Sequence, residues 1–205
     1  MSPPSNHPPS SSPKPRLGPR GSVKGSVLQS RLAFVQQRKG DGAVLRVLHR
    51  LTDEDREILT GMLLPFAWYP FTTNERLDLA IAEEFERGEP IFLQLGEASA
   101  RDNLTSASQL SYIRERNPHA LLKQTSAIFK VYYDTGHRTY ERVSDGCAVL
   151  RTHDCDSYSV ADCLTVVGWH QKAIELCGGR DVRVREMKCR ARGDEICEYV
   201  CDWTP

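Results

Sequence analysis

The chain has 205 residues, of which 40% are hydrophobic and 26% are charged, and it contains 27 basic and 27 acidic residues. This composition is typical of a soluble globular protein, and the zero formal net charge excludes the overall basic excess of many nucleic-acid-binding proteins. No apolar run approaches the ~18–20 residues of a membrane span, and no apolar segment follows Met1, so we expect a cytoplasmic protein with reduced cysteines.

The N-terminal residues differ from the rest in charge and composition. The first 40 residues hold seven basic residues and no acidic one, which leaves 20 basic and 27 acidic residues in the remainder. Residues 1–26 contain seven of the twelve prolines and many serines and glycines. Such a segment buries too little apolar surface to offset the entropy lost on ordering. We therefore expect residues 1–26 to be a disordered basic tail and residues 27–205 to form a single domain.

Helical periodicity follows the tail as far as residue 133. A glycine-rich break at residues 40–42 separates the first two helical stripes. Thr52 has the residue type and acidic neighbours of a helix start, and Thr72 with Glu75 has the pattern of a capping box. Pro118 is suited to the first position of a helix. The predicted helices start near Leu28, Val44, Thr52 and Thr72, span residues 91–104 and 106–116, and run from Pro118 to Tyr133.

The periodicity changes to two after Gly136. Residues 138–143 and 147–152 are predicted to form a hairpin around Asp145-Gly146. A helix over residues 159–177 follows, and strands over 182–190 and 197–203 form a second hairpin. This order predicts an α+β fold in which the N-terminal helices pack on an antiparallel sheet.

Sulfur is concentrated at the end of the chain, since all seven cysteines lie in the last 59 residues. Cys163 lies on the predicted helix, Glu186 and Cys189 on one strand of the hairpin, and Cys197 at the start of the next. Three thiolates and a carboxylate form a tetrahedral set that favours a structural zinc. Inert buried thiols fit the same spacing, because paired Cys-x2-Cys motifs are absent. Cys201 is an alternative ligand.

Three segments near the C-terminal end carry a family resemblance. Residues 161–169, Gly178-Gly179 and residues 184–199 resemble the C-terminal half of the vinyl-4-reductase-type (4VR) ligand-binding domain. The resemblance is closest to the zinc-containing sensory domain of phenol- and toluene-responsive NtrC-class activators, and it implies the four ligands named above. Residues 121–136 resemble the wider superfamily that joins 4VR, heme-nitric-oxide-associated and TRAPP-subunit domains.

The resemblance implies a buried pocket for a small hydrophobic or aromatic molecule between helices and sheet, and it implies a homodimer. The ATPase and DNA-binding regions of the activators have no counterpart here, and neither have the residues that hold phenol. Pocket candidates are large side chains near the ends of predicted elements, for which ordinary core packing is the alternative. They are Trp68, Tyr69, Phe129, Tyr132, Tyr133, Trp169 and His170.

The sequence therefore predicts a non-enzymatic ligand-binding or sensory module. Motifs of zinc hydrolases, nucleobase deaminases, nucleophile elbows and dinucleotide-binding loops are absent from it. The alternative is a dimeric adaptor or scaffold on the same fold, which contacts an anionic partner through the basic N-terminal tail.

Overall fold

The computed structural model of the chain describes residues 21–105 and 116–205. The first of these segments forms β1 (Ser22–Lys24), α1 (Gly25–Lys39), α2 (Asp41–His49), α3 (Asp53–Thr60), β2 (Trp68–Pro70), α4 (Phe71–Phe85) and α5 (Pro90–Thr105). The second forms α6 (Pro118–Tyr132), β3 (His137–Ser144), β4 (Cys147–His153), α7 (Val160–Leu176), β5 (Arg180–Lys188) and β6 (Cys197–Thr204). The predicted α+β class is confirmed. Among the described helices, none combines the length and apolarity of a membrane span.

Three helices have a side-chain cap at their N-terminus. The side chains of Thr52, Asn117 and Ser159 each accept a hydrogen bond from a backbone N–H three residues later. The fourth helix differs: α4 begins at Phe71 and has no side-chain cap, so the capping box predicted for Thr72 and Glu75 is wrong. The backbone N–H of Phe71 instead donates to the carbonyl oxygen of Gly21 at 3.1 Å, a partner supplied by the adjacent strand.

The main sheet is antiparallel, with the strand order β3-β4-β6-β5. Helices α6 and α7 cover one face, where Leu122 and Ile174 pack with the strand residues Leu150 and Tyr199 in one apolar cluster. The strand β5 lies at an edge of the sheet. Its exposed basic residues are Arg180, Arg183, Arg185 and Lys188.

The strands β1 and β2 form a separate two-stranded antiparallel ribbon that the sequence did not predict. Val23 of β1 is fully buried, and the backbone N–H of Ser22 donates to Oδ1 of Asp134 at 2.7 Å. Residues 21–26 therefore belong to the folded part of the chain and not to the tail. A single buried valine among glycines and serines gives no periodic signal. Residues 1–20 and nearly all of the predicted helix 106–116 lie outside the described residues.

Helices α5 and α7 cross at very short range. A Cβ atom added to Gly96 would lie 2.0 Å from the carbonyl oxygen of Thr165, and one added to Gly168 would lie 2.1 Å from that of Leu93. The two glycines therefore allow the backbones to touch. This crossing fixes the position of α7, which carries residues of both sites described below.

Candidate ligand cavity and thiol cluster

A cavity of about 70 Å³ lies where α1, α5, α6 and α7 meet the start of β3. Phe129 and Ile128 of α6 and Val166 and Trp169 of α7 provide apolar wall. Hydroxyl, imidazole and guanidinium groups provide the remainder. A cavity with aromatic walls and a few polar groups is the usual form of a small-molecule site.

Arg138 brings a buried positive charge to this cavity. Its side chain is only 8% exposed, and its Nε donates to Oγ1 of Thr152 at 3.0 Å. The guanidinium carbon lies 4.8 Å from the ring centroid of Phe129 and 5.7 Å from that of Tyr199. Among the described residues, no carboxylate forms an ion pair with it.

His170 lies beside this guanidinium and is 1% exposed. Its Nδ1 is 2.7 Å from the carbonyl oxygen of Val166, so Nδ1 carries the proton and Nε2 is an acceptor. Nε2 is 3.5 Å from an Nη atom of Arg138. Burial, and secondly the charge of Arg138, lower the pKa of His170 to about 3. The imidazole is therefore neutral at physiological pH.

Two buried acidic groups lie behind the cavity. Asp78 accepts a hydrogen bond from Nε of Arg31 at 3.1 Å, a buried ion pair. The hydroxyl of Tyr133 donates to both oxygens of Asp162, at 2.9 and 3.1 Å. Burial raises the pKa of Asp162 to about 7, although Arg31 acts in the opposite direction. This carboxyl group therefore titrates near neutral pH.

A group of three cysteines lies on the sheet side of α7. The sulfur atoms of Cys163, Cys189 and Cys197 all lie within 4.8 Å of one another, and those of Cys163 and Cys197 are 3.7 Å apart. The backbone N–H of Arg190 donates to the sulfur of Cys197 at 3.4 Å. Thiol hydrogen bonds from Cys163 and Cys189 lower the pKa of Cys197. This thiol cluster ties α7 to the hairpin of β5 and β6.

Glu186 lies next to the thiol cluster without completing it. Burial, and secondly Cys189, raise the pKa of Glu186 to about 8, so its carboxyl group is protonated at neutral pH. Its Oε1 is buried and has no hydrogen-bond partner among the described residues. Cys201 lies outside the cluster, on β6, where burial raises its pKa to about 12.

Five of the seven predicted pocket residues line the cavity. They are Phe129, Tyr132, Tyr133, Trp169 and His170. Trp68 and Tyr69 lie elsewhere, on β2. The ammonium group of Lys24 lies 3.7 Å from the ring centroid of Trp68, and the hydroxyl of Tyr69 accepts from the backbone N–H of Leu64 at 2.9 Å. The β1–β2 ribbon holds these two side chains away from α6 and α7.

The sequence interpretation missed Arg138, the residue that gives the cavity its charge. On β3, Arg138 and Tyr140 share the face towards α6, whereas His137 and Thr139 are exposed. Strand alternation puts Arg138 and Tyr140 on one face of the predicted hairpin. Both faces of this strand carry charged residues, so alternation alone does not show which face is buried.

No protein-family model matches the chain, and no curated protein matches it. Solved structures of H-NOX proteins do align with 89% of it. The Fe(II) unliganded protein from K. algicida aligns with a TM-score of 0.68 at 14% identity, over 97% of that chain. The S. oneidensis protein in the Fe(II)NO ligation state aligns with a TM-score of 0.70 at 10% identity, over 99% of that chain.

The chain has the H-NOX fold. Identities of 10–14% establish the fold and leave the chemistry open. The fold that the resemblance to heme-nitric-oxide-associated domains implies is thereby confirmed. The narrower resemblance to 4VR domains and to the sensory domain of NtrC-class activators stays a prediction.

The prediction of a structural zinc is wrong by the same comparison. The groups named for solved structures with the H-NOX fold are Fe(II) and heme, and not zinc. The spacing of Cys163, Glu186, Cys189 and Cys197 predicted correctly that the three thiols meet, but spacing reports proximity and not the identity of a cofactor. The thiols satisfy one another through hydrogen bonds.

Proposed function

We propose that the chain is a non-enzymatic small-molecule-binding module that acts as a sensor, and that its ligand occupies the cavity beside Arg138 and His170. The observation that carries this proposal is the cavity itself, which joins aromatic walls to a buried cation without a carboxylate partner among the described residues. The H-NOX fold supports it, since the S. oneidensis protein of that fold is described with a bound small ligand, NO.

The residues around the cavity do not fit a heme. Pockets for drug-sized ligands have about 300–1,000 Å³, and a porphyrin is no smaller than such ligands. The cavity has about 70 Å³. Of the described histidines, only His170 lines it, and the cation of Arg138 faces the Nε2 atom that would have to bind iron. We therefore assign the cavity to a smaller, metal-free ligand.

The chemistry of His170 favours binding over catalysis. A general base works best when its pKa is near the operating pH. The pKa of His170 is about 3, which makes the imidazole a poor proton acceptor at pH 7. A ligand in the cavity would instead act on α7, which contributes Trp169 and His170 to the cavity and Cys163 to the thiol cluster.

The test is a thermal-shift screen of small molecules on the purified chain. A ligand at a hundred times its Kd contributes about 2.7 kcal/mol, which corresponds to a rise in Tm of about 5–10 °C for a chain of this size. Thr125→Leu adds volume to the cavity wall and should abolish the rise, whereas Thr139→Leu makes the same change at an exposed position of β3 and should preserve it. A screen in which no compound raises Tm would overturn the proposal.

An exposed apolar segment favours the adaptor function as a second candidate. Met62 is 84% exposed and Phe66 is 85% exposed, with Leu64 and Trp68 also exposed nearby. Clusters of large exposed apolar side chains on a protein surface often mark contacts with other molecules. A homodimer through this segment would make the chain a scaffold, and the basic N-terminal tail would then contact an anionic partner.

The double substitution Met62→Ser, Phe66→Ser tests this second candidate. Sedimentation of the wild type should show a dimer, and the double variant should be monomeric with its Tm nearly unchanged, since both side chains are exposed. Leu79→Ser, at an exposed position of α4, is the control and should leave the dimer intact. A wild-type chain that sediments as a monomer at high concentration would rule out the dimeric adaptor.

A further inference from the structure

We propose that the ligand of the cavity is a small planar oxyanion, either a carboxylate of one or two carbons or bicarbonate, and that the guanidinium of Arg138 holds it. This inference rests on the proposed function and specifies the chemistry of its ligand.

Two buried arginines at the same cavity differ in their partners. Buried charges are normally paired, because removing a charge from water without compensation is costly. Arg31 follows this rule through its ion pair with Asp78. The direct contacts of Arg138 are all with neutral groups, namely the hydroxyl of Thr152, the imidazole of His170 and two aromatic rings. The carboxylate that Arg138 lacks is the group that a ligand would bring.

The nearby acidic side chains already have other partners. Asp78 is bound to Arg31, and both oxygens of Asp162 accept from the hydroxyl of Tyr133. Glu186 lies with the thiol cluster. Asp162 is within electrostatic reach of Arg138, but no described carboxylate forms an ion pair with the guanidinium, and a ligand carboxylate can therefore take that position.

The volume of the cavity and the planar shape of the guanidinium limit the ligand further. An apolar cavity of about 150 Å³ takes benzene, which has six non-hydrogen atoms. A space of about 70 Å³ therefore suits a ligand of about three or four non-hydrogen atoms. Formate, acetate and bicarbonate have this size. Their flat anionic groups match the planar donor array of a guanidinium, which binds carboxylates through parallel hydrogen bonds.

The decisive experiment compares acetate with acetamide, its neutral analogue of equal shape. Both are titrated into the full chain at constant ionic strength set with chloride, with Tm and ¹³C NMR of the labelled compound as readouts. We expect acetate to bind at least ten times more tightly than acetamide. Parallel titrations with formate and bicarbonate identify which source of the oxyanion binds best.

Two substitutions locate the binding. Arg138→Gln should remove the preference for acetate over acetamide, while Arg142→Gln, at an exposed position of the same strand, should retain it. Because Arg138 also packs on Phe129 and Tyr199, its loss affects folding as well. Thr125→Leu therefore serves as a second variant, which fills the cavity, keeps the cation and should abolish acetate binding.

The outcomes separate this inference from the proposed function. If acetamide binds as tightly as acetate, the oxyanion inference is wrong and the ligand-binding function stands. If acetate binding persists in Arg138→Gln or in Thr125→Leu, the assigned position is wrong. If neither anions nor neutral compounds bind, both proposals fail.

Discussion

The two sites along α7 solve the burial of polar groups in opposite ways. At one site, Arg138 and His170 border an open space, and no carboxylate among the described residues forms an ion pair with the positive charge. At the other site, about two turns away on the same helix, three sulfur atoms lie within 4.8 Å of one another and form mutual hydrogen bonds. The same helix supplies residues to both.

This difference separates a binding site from a structural contact. Polar groups that satisfy one another, as the thiols do, need no further molecule and hold α7 against the sheet. A buried charge next to an empty volume has both the reason and the room to accept one. The cavity, and not the cluster that the cysteine spacing first indicated, is therefore the better candidate for ligand binding.

The largest effect is expected from a substitution at the crossing of α5 and α7, because it should disrupt both sites together. Gly168→Ala places a methyl group 2.1 Å from the carbonyl oxygen of Leu93, so the helices must separate. We expect a loss of about 3 kcal/mol in the free energy of unfolding, at the upper end of the usual cost of overpacking. Urea denaturation measures this loss, and acetate binding should weaken in parallel.

The matched control is Gly42→Ala, in α2. An added Cβ there meets its nearest neighbour, the side chain of Arg46, at 3.6 Å, which is ordinary contact. We expect stability to be unchanged or slightly increased, because alanine favours helix more than glycine does. Equal losses in the two variants would show that the helix crossing is not the cause.

A substitution that affects the thiol cluster alone should cause an intermediate loss of stability. Cys197→Ala removes the sulfur that accepts from Cys163, Cys189 and the backbone N–H of Arg190. We expect a loss of about 2 kcal/mol in chemical denaturation, typical of a buried truncation that leaves donors unpaired.

The comparison with the cavity gives this prediction its controls. Cys147→Ala, at a half-buried position of β4, should change stability by about 0.5 kcal/mol or less. Acetate affinity should stay the same in Cys197→Ala, because Cys197 does not line the cavity. A large change in acetate affinity would mean that the cavity and the thiol cluster are coupled.

The smallest effect is the dependence of stability on pH, to which one carboxyl group near each site contributes. The pKa of Glu186 is raised from 4.5 to about 8, so its stabilising contribution is complete below pH 4.5 and is lost as the pH rises through about 8. For Asp162 the same loss runs from pH 3.8 to about 7. His170 opposes them in acid, since its pKa is lowered from 6.5 to about 3 and its contribution is lost as the pH falls.

Between pH 6.5 and pH 8, where His170 no longer contributes a slope, we therefore expect Glu186 and Asp162 to contribute a fall in Tm, which the lowered pKa of Cys197 opposes. Glu186→Gln should remove most of this fall, and Asp162→Asn should remove only its lower part. Glu195→Gln, at an exposed position, serves as the control. A fall of the same size in Glu186→Gln and in the wild type would contradict the assignment.

Much of the fold could be predicted because its signals are local. Thr52, Asn117 and Ser159 cap helices through their own side chains, and Asp145-Gly146 turns the first hairpin. The β1–β2 ribbon could not be predicted, since it joins residues 22–24 to residues 68–70 and only Val23 is a buried apolar residue of β1. The start of α4 was misplaced for the same reason, because its partner, Gly21, is distant in sequence.

The candidate site was predicted in part. Aromatic residues at the end of α6 and within α7 did identify one wall of the cavity. The charge of Arg138 was missed, because an arginine on a short strand is ordinarily exposed and only the packing of α6 on β3 shows that this one is buried. The proximity of the three thiols followed from their positions on α7 and one hairpin, but no cofactor could be deduced from that proximity.

The basic edge strand β5 also constrains how copies of this chain can associate. An edge strand offers unpaired backbone groups to which a second sheet can add, and charged side chains oppose such addition. Two copies aligned along β5 would bring Arg180, Arg183, Arg185 and Lys188 against the same residues of the other copy. Strand-to-strand aggregation is thus disfavoured at this edge.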